Sequence, residues 1–129
     1  LSRDFIFNIL FMFLKTEDNK NKYFPKEYGT WKMEFKKLNQ KYEPLFTECE
    51  KIEDDIHKKL KKEEIQKVFD AEDKFLWEKY LKKPIMQEIE KMYNHYAKEN
   101  FKTKSGQPVI DWQATMASWM DRKKQFEKA

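Results

Sequence analysis

The residues best suited to chemistry lie near the end of the chain. Tyr96, Phe101, Trp112 and Trp119 are interleaved with Lys98, Lys102, Lys104, Arg122, Lys123 and Lys124. Aromatic faces beside cations can hold single-stranded nucleic acid, because bases stack on the rings and phosphates pair with the charges. Trp112 and Trp119 are seven residues apart, so they share one face of a helix. Tryptophans at that spacing are equally suited to anchoring a core. Both roles coexist if one ring packs inward while Tyr96 or Phe101 stays open. What separates the two is whether both tryptophans are buried, or one lies exposed beside Lys102 and Lys104.

The charge distribution bears on the same segment. The formal net charge is +4. Residues 1–90 hold 19 basic and 19 acidic side chains, whereas residues 91–129 hold eight and four. The whole excess therefore surrounds these aromatics, and a local positive field attracts polyanions. An excess of this size is also ordinary for a protein surface.

Catalytic arrangements are poorly represented. Asp54 and His57 form half of the carboxylate-x-x-His pair used in di-iron helical bundles, but His95 has Met92 where the second acid would stand. Gly29 and Gly106 are isolated, so no Gly-rich phosphate loop exists. Cys49 is the single cysteine; it can make no intrachain disulfide and suits a small core residue. These features point to a non-enzymatic protein with no metal or cofactor, in a reducing, cytoplasmic setting.

Positioning the tail falls to the rest of the chain. Charged residues make up 39% and aromatic residues 16%, with two glycines, which suits helices with solvated faces and enough apolar area for a core. The expected fold is all-α: a single bundle-like domain over residues 1–129, with about five helices and residues 92–129 as a basic aromatic tail. Leu1 in place of an initiator methionine fits a fragment of a longer protein.

Residues 5–14 are almost all apolar but too few to cross a bilayer as a helix. They fit a buried first helix capped by Ser2 or Asp4, apolar on every side and so enclosed by the other helices. The end of a targeting segment is the alternative. Residues 16–25 read as a polar loop closing at Pro25.

From Trp31 through Phe35, Leu38, Tyr42, Leu45, Cys49 and Ile52 to Ile56, apolar residues alternate at spacings of four and three. Such a heptad seam suits a coiled-coil-like homodimer. Pro44 interrupts it, giving two helices or one kinked helix near Glu43. Lys58 to Lys62 form a charged corner, neutralised by acids around it. A further helix starting at Glu63 uses Ile65, Val68, Phe69, Phe75, Leu76 and Tyr80. Pro84 opens the next, which buries Ile85, Ile89, Met92 or Tyr93, and Tyr96. After a turn at Ser105–Gly106, Asp111 caps a last helix whose stripe is Trp112, Met116, Trp119 and Phe126.

The segment from about Met92 to Lys124 resembles the C-terminal tail of phage and prophage replication proteins of the DnaD/DnaT-like, helicase-loading kind. The matching residues are Tyr96 and Phe101, Lys104-Ser105-Gly106, Asp111-Trp112 and Trp119. Ala97 stands where those tails often carry a tryptophan beside the tyrosine. The resemblance covers about a quarter of the chain and implies binding of single-stranded DNA and of a replicative helicase or another replication protein. On that reading Lys98, Lys102, Lys104, Arg122, Lys123 and Lys124 contact phosphates, and Tyr96, Phe101, Trp112 or Trp119 stack bases. The alternative is a helical protein–protein interaction module that dimerises through the Trp31–Ile56 seam.

Overall fold

Ser2 starts the first helix. Its Oγ accepts the Phe5 N–H at 3.1 Å, leaving α1 to run over Arg3–Lys15. The computed structural model describes residues 2–128, with side chains described as far as Gln125, so Phe126 of the expected last stripe lies outside the described side chains. The remaining helices are α2 (Glu17–Tyr23), α3 (Pro25–Cys49), α4 (Asp55–Trp77), α5 (Lys83–Lys98) and α6 (Trp112–Lys128), with a π turn at Glu78–Lys82. No strand forms among the described residues; Lys102 and Pro108 make an isolated bridge. The protein is all-α. Its internal contacts group it in two compact units, Leu1–Pro25 with Lys83–Ala129, and Lys26–Lys82.

In the first unit α1 packs on α5 and α6, and α2 packs on α1 and α6. Ile6, Leu10 and Leu14 meet Ile85, Ile89, Met92, Met116 and Met120 in a core closed to water. The side chains of α1 recur every four residues and those of α5 every three or four, so each helix presents one continuous stripe. The expectation that α1 is enclosed on every side is corrected, because Phe5 and Met12 remain exposed. A helix packed against neighbours along one stripe buries that stripe and leaves the rest to solvent.

The loop expected at residues 16–25 is also corrected. Thr16 Oγ1 accepts the Asn19 N–H at 3.3 Å, and Glu17 and Asp18 occupy the first turn of α2, where the helix dipole favours acids. Asn19 Nδ2 in turn donates to the Phe13 carbonyl at 2.6 Å, satisfying a group at the end of α1.

In the second unit α3 runs unbroken through Pro44, so the seam from Trp31 lies on one helix rather than two. It stops at Cys49. Ile52 lies in the connection, and Ile56 is exposed on α4. The cause is Asp54, whose Oδ1 accepts the N–H groups of Ile56 and His57 at 2.9 and 3.0 Å and starts a new helix. This also explains the Asp54–His57 spacing, which serves a helix cap. The seam faces α4: Phe69 contacts Phe35 and Tyr42 edge-on, at 6.3 and 5.6 Å between centroids. Tyr28, Trp31 and Phe35 stack in sequence along α3.

Lys58 to Lys62 fall inside α4 rather than at a corner, and Lys58 and Lys62 both pair with Glu50. Those two hydrogen bonds hold the Glu50 carboxyl below its ordinary range, the Lys62 bond being the stronger influence. Pro84 does not open a helix either, because helical backbone continues from α4 through the π turn into α5. Proline cannot donate to the carbonyl four residues back and clashes with it. The wider π turn just ahead of Pro84 is a usual way for a helix to absorb such an interruption.

Candidate nucleic-acid interface

The end of α5 sets the tail's geometry. Asn100 adopts φ 55° and Phe101 φ 59°, both left-handed. The Phe101 N–H donates to the Tyr96 carbonyl at 2.7 Å and the Asn100 N–H to the Ala97 carbonyl at 3.2 Å. That pair of bonds is a Schellman cap with Asn100 in the place usually held by glycine, a substitution asparagine tolerates. The cap turns Phe101 back toward the core. The following loop is pinched shut by the Thr103 N–H to the Gln107 carbonyl at 2.7 Å and the Val109 N–H to the Phe101 carbonyl at 2.9 Å. Gly106, at φ 83°, makes the turn. Asp111 then caps α6, its Oδ1 accepting the Ala114 N–H at 3.1 Å, as the sequence indicates.

These turns join the tail's aromatics in one ladder. Phe7, Tyr93, Phe101, Trp112, Tyr96, His95 and Trp119 touch in that order, with centroids 5.0–6.0 Å apart. Arg3 covers one end, lying over the Phe7 and Tyr93 rings while pairing with Glu90 at 3.0 Å. Tyr96 and Trp112 are 8% and 5% exposed. Their faces are closed to bases, which corrects the stacking role expected of them. Trp112 is held by packing alone, since its buried Nε1–H meets no acceptor among the described residues. Phe101, at 36%, is the most open of the four rings.

Trp119 is half-buried and tied down by an acid that sequence reasoning missed. Its Nε1 donates to Glu88 Oε1 at 2.9 Å, and Lys123 Nζ reaches Glu88 Oε2 at 2.8 Å. Glu88 is 4% exposed. Burial raises a carboxyl, yet the hydrogen bonds from Lys123 and Trp119 outweigh it and hold Glu88 below the ordinary carboxylate range. Lys123 is therefore a structural cation joining α6 to α5, not one held ready for phosphate. A signal for Glu88 was present: it follows Ile85 by three residues and precedes Met92 by four, so it occupies the apolar face of α5.

No family model, curated protein or solved structure matches this chain.

The remaining cations divide by position. Lys102, Lys104 and Arg122 line an open groove of about 570 Å³ bounded by α5, the loop and the first half of α6. His95 enters it from α5 and Glu99 from the turn just after, and Thr103, Ser105, Thr115 and Ser118 lie along its wall. The Thr103 and Ser105 oxygens are 2.9 Å apart. Three cations against one carboxylate leave the groove positive. The Thr115 hydroxyl donates to the Asp111 carbonyl at 2.9 Å, which leaves Ser118 and one of the Thr103–Ser105 pair as donors for phosphate oxygens. Lys98 and Lys124 lie outside this lining. Of the ten residues expected to bind, Lys102, Lys104 and Arg122 converge with Tyr96 at the groove, while Trp112 and Lys123 belong to the core and its latch.

Among the described residues no group of His, Cys, Asp or Glu side chains is arranged to hold a metal ion. No helix there is long and apolar enough to cross a membrane.

Proposed function

We propose that this chain is a non-enzymatic accessory protein of DNA replication that holds single-stranded DNA mainly by its phosphates. The convergence of Lys102, Lys104 and Arg122 on one hydroxyl-lined groove carries the reading. Electrostatic contacts of this kind supply most of the sequence-independent affinity for nucleic acid. Base stacking is a minor contribution, limited to the open edge of Phe101. The tail's resemblance to helicase-loading proteins supports a replicative helicase or another replication protein as the protein partner.

Fluorescence anisotropy with a labelled single-stranded oligonucleotide tests this. Three phosphate contacts give a slope of log affinity against log salt of about −2. Changing Lys102, Lys104 and Arg122 together to Glu abolishes binding, whereas Lys98→Glu changes it little. Undetectable binding at low salt, or binding that survives the triple variant, overturns the proposal.

A further inference from the structure

Several cations of the unit that holds the groove are already neutralised. Arg3 pairs with Glu90 at 3.0 Å and Lys22 with Asp121 at 3.5 Å, while Lys91 and Lys123 both reach Glu88. Lys102, Lys104 and Arg122 differ. All three are exposed, and none pairs with a carboxylate among the described residues, although Glu99 lines the same groove. Arg122 is steadied by its own helix, its Nε donating to the Ser118 carbonyl at 3.5 Å. The two terminal guanidinium nitrogens stay available as a fork for phosphate oxygens.

The cations are gathered rather than strung out. A surface that follows a single strand carries a positive groove along the backbone, several nucleotides long. Here the three cations share one recess of about 570 Å³, and Lys98 and Lys124 lie outside it. The recess runs between α5 and α6, and the loop that joins these helices, held by its own hydrogen bonds, closes one end. A strand lying along the recess meets that loop, whereas a strand that ends there has no need to pass it.

Charge distinguishes the two cases further. With His95 counted neutral, three cations and the Glu99 carboxylate give the groove a formal charge of 3 − 1 = +2. A phosphate within a strand is a diester carrying a single negative charge. A phosphate at a strand end is a monoester with roughly −1.5 to −2 charge and three acceptor oxygens. The monoester matches the surplus, and its extra oxygen gives the Ser118 hydroxyl and the free member of the Thr103–Ser105 pair something to bond.

Building on single-stranded DNA as the ligand, we infer that the groove seats the phosphomonoester end of a strand through Lys102, Lys104 and Arg122. The protein thereby recognises phosphorylated ends in preference to the interior of a strand.

Fluorescence anisotropy tests this with one internally labelled oligonucleotide sequence carrying a 5′-phosphate, a 3′-phosphate, hydroxyls at both ends, or no end at all after circularisation. A phosphate at one end or the other raises affinity at least about tenfold over the hydroxyl-ended strand, the worth of one further charge-assisted hydrogen bond. The circle binds no better than the hydroxyl-ended strand, and the comparison of 5′ with 3′ identifies the end that is held. Changing Lys104 and Arg122 together to Gln removes the preference, and circular dichroism checks that the helices persist, as expected for exposed positions. A preference that survives this double variant, or a circle that binds as tightly as the phosphorylated strand, overturns the inference. Equal binding of all forms, still abolished by Glu at Lys102, Lys104 and Arg122, overturns end recognition and leaves the nucleic-acid reading standing. No binding by any form at low salt overturns both.

Discussion

In the unit built from α1, α2, α5 and α6, Leu10, Leu14, Ile85, Ile89, Met92 and Met116 are fully closed to solvent. In the α3–α4 hairpin, α4 contributes no buried residue across its 23 positions, and α3 buries Tyr28, Leu38, Tyr42 and Cys49, with Tyr28 against the Trp31 ring and Tyr42 against Phe69. Both units are rich in apolar side chains, so composition does not separate them. Geometry does. Three helices around a common line give each stripe two neighbours and an interior. Two helices give each stripe one neighbour and leave any second apolar face on the surface.

A corollary is that polar anchoring matters where burial is deep. Glu88 is enclosed and must be satisfied, so it recruits Trp119 and Lys123 across to α5. The hairpin's ion pairs, such as Lys41 with Glu72 at 3.1 Å, are exposed and screened.

The sharpest way to break this contrast is to truncate one apolar residue in each unit. Ile89→Ala removes a fully buried side chain and lowers stability by about 3 kcal/mol, whereas Ile56→Ala, at an exposed site, costs under about 0.5 kcal/mol. Urea unfolding followed by circular dichroism at low protein concentration measures both; equal losses would refute the difference in depth.

Glu88→Ala comes next, at about 2 kcal/mol, because the Trp119 N–H and the Lys123 ammonium lose their acceptor. The same carboxyl has a sign in pH. Its folded value is lowered, so its stabilisation is complete above the ordinary carboxylate range and is lost as pH falls through the folded value. Repeating the urea titrations down to acid pH should show the unaltered chain losing more stability than Glu88→Gln. Parallel curves would mean the latch carries no weight. The smallest expected effect is at the cap of α6, where Asp111→Ala costs about 1 kcal/mol by freeing the Ala114 N–H.

Parts of this arrangement were legible in the residues alone. Ile85, Ile89 and Tyr96 announced the buried face of α5, with Met92 taking the place that spacing left open between it and Tyr93, and Asp111 announced the start of α6. Of the two caps the sequence offers for α1, Ser2 and Asp4, the helix uses Ser2, and Thr16 does the same work for α2 without standing out in the sequence. Seven polar residues after a threonine resemble a loop unless the cap and the acids behind it are weighed together. The Trp31–Ile56 seam misled because its period runs past Cys49 by coincidence. Period registers spacing, and only the competition between Asp54's cap and a longer helix decides where α3 ends.

The sequence by itself determined that the chain is helical, which stripe α5 buries, and that the surplus positive charge lies in the last 39 residues. Local chemistry suffices for these, because propensity, capping and period act within a few turns. The tertiary structure decided what the aromatics and cations do. Tyr96 and Trp112 became core because a Schellman turn folded the loop back on α5, Lys123 became a latch because Glu88 lies one helix away, and Lys102, Lys104 and Arg122 were left facing one groove. Those assignments depend on contacts between residues about 10 to 35 positions apart, which no spacing along the chain encodes.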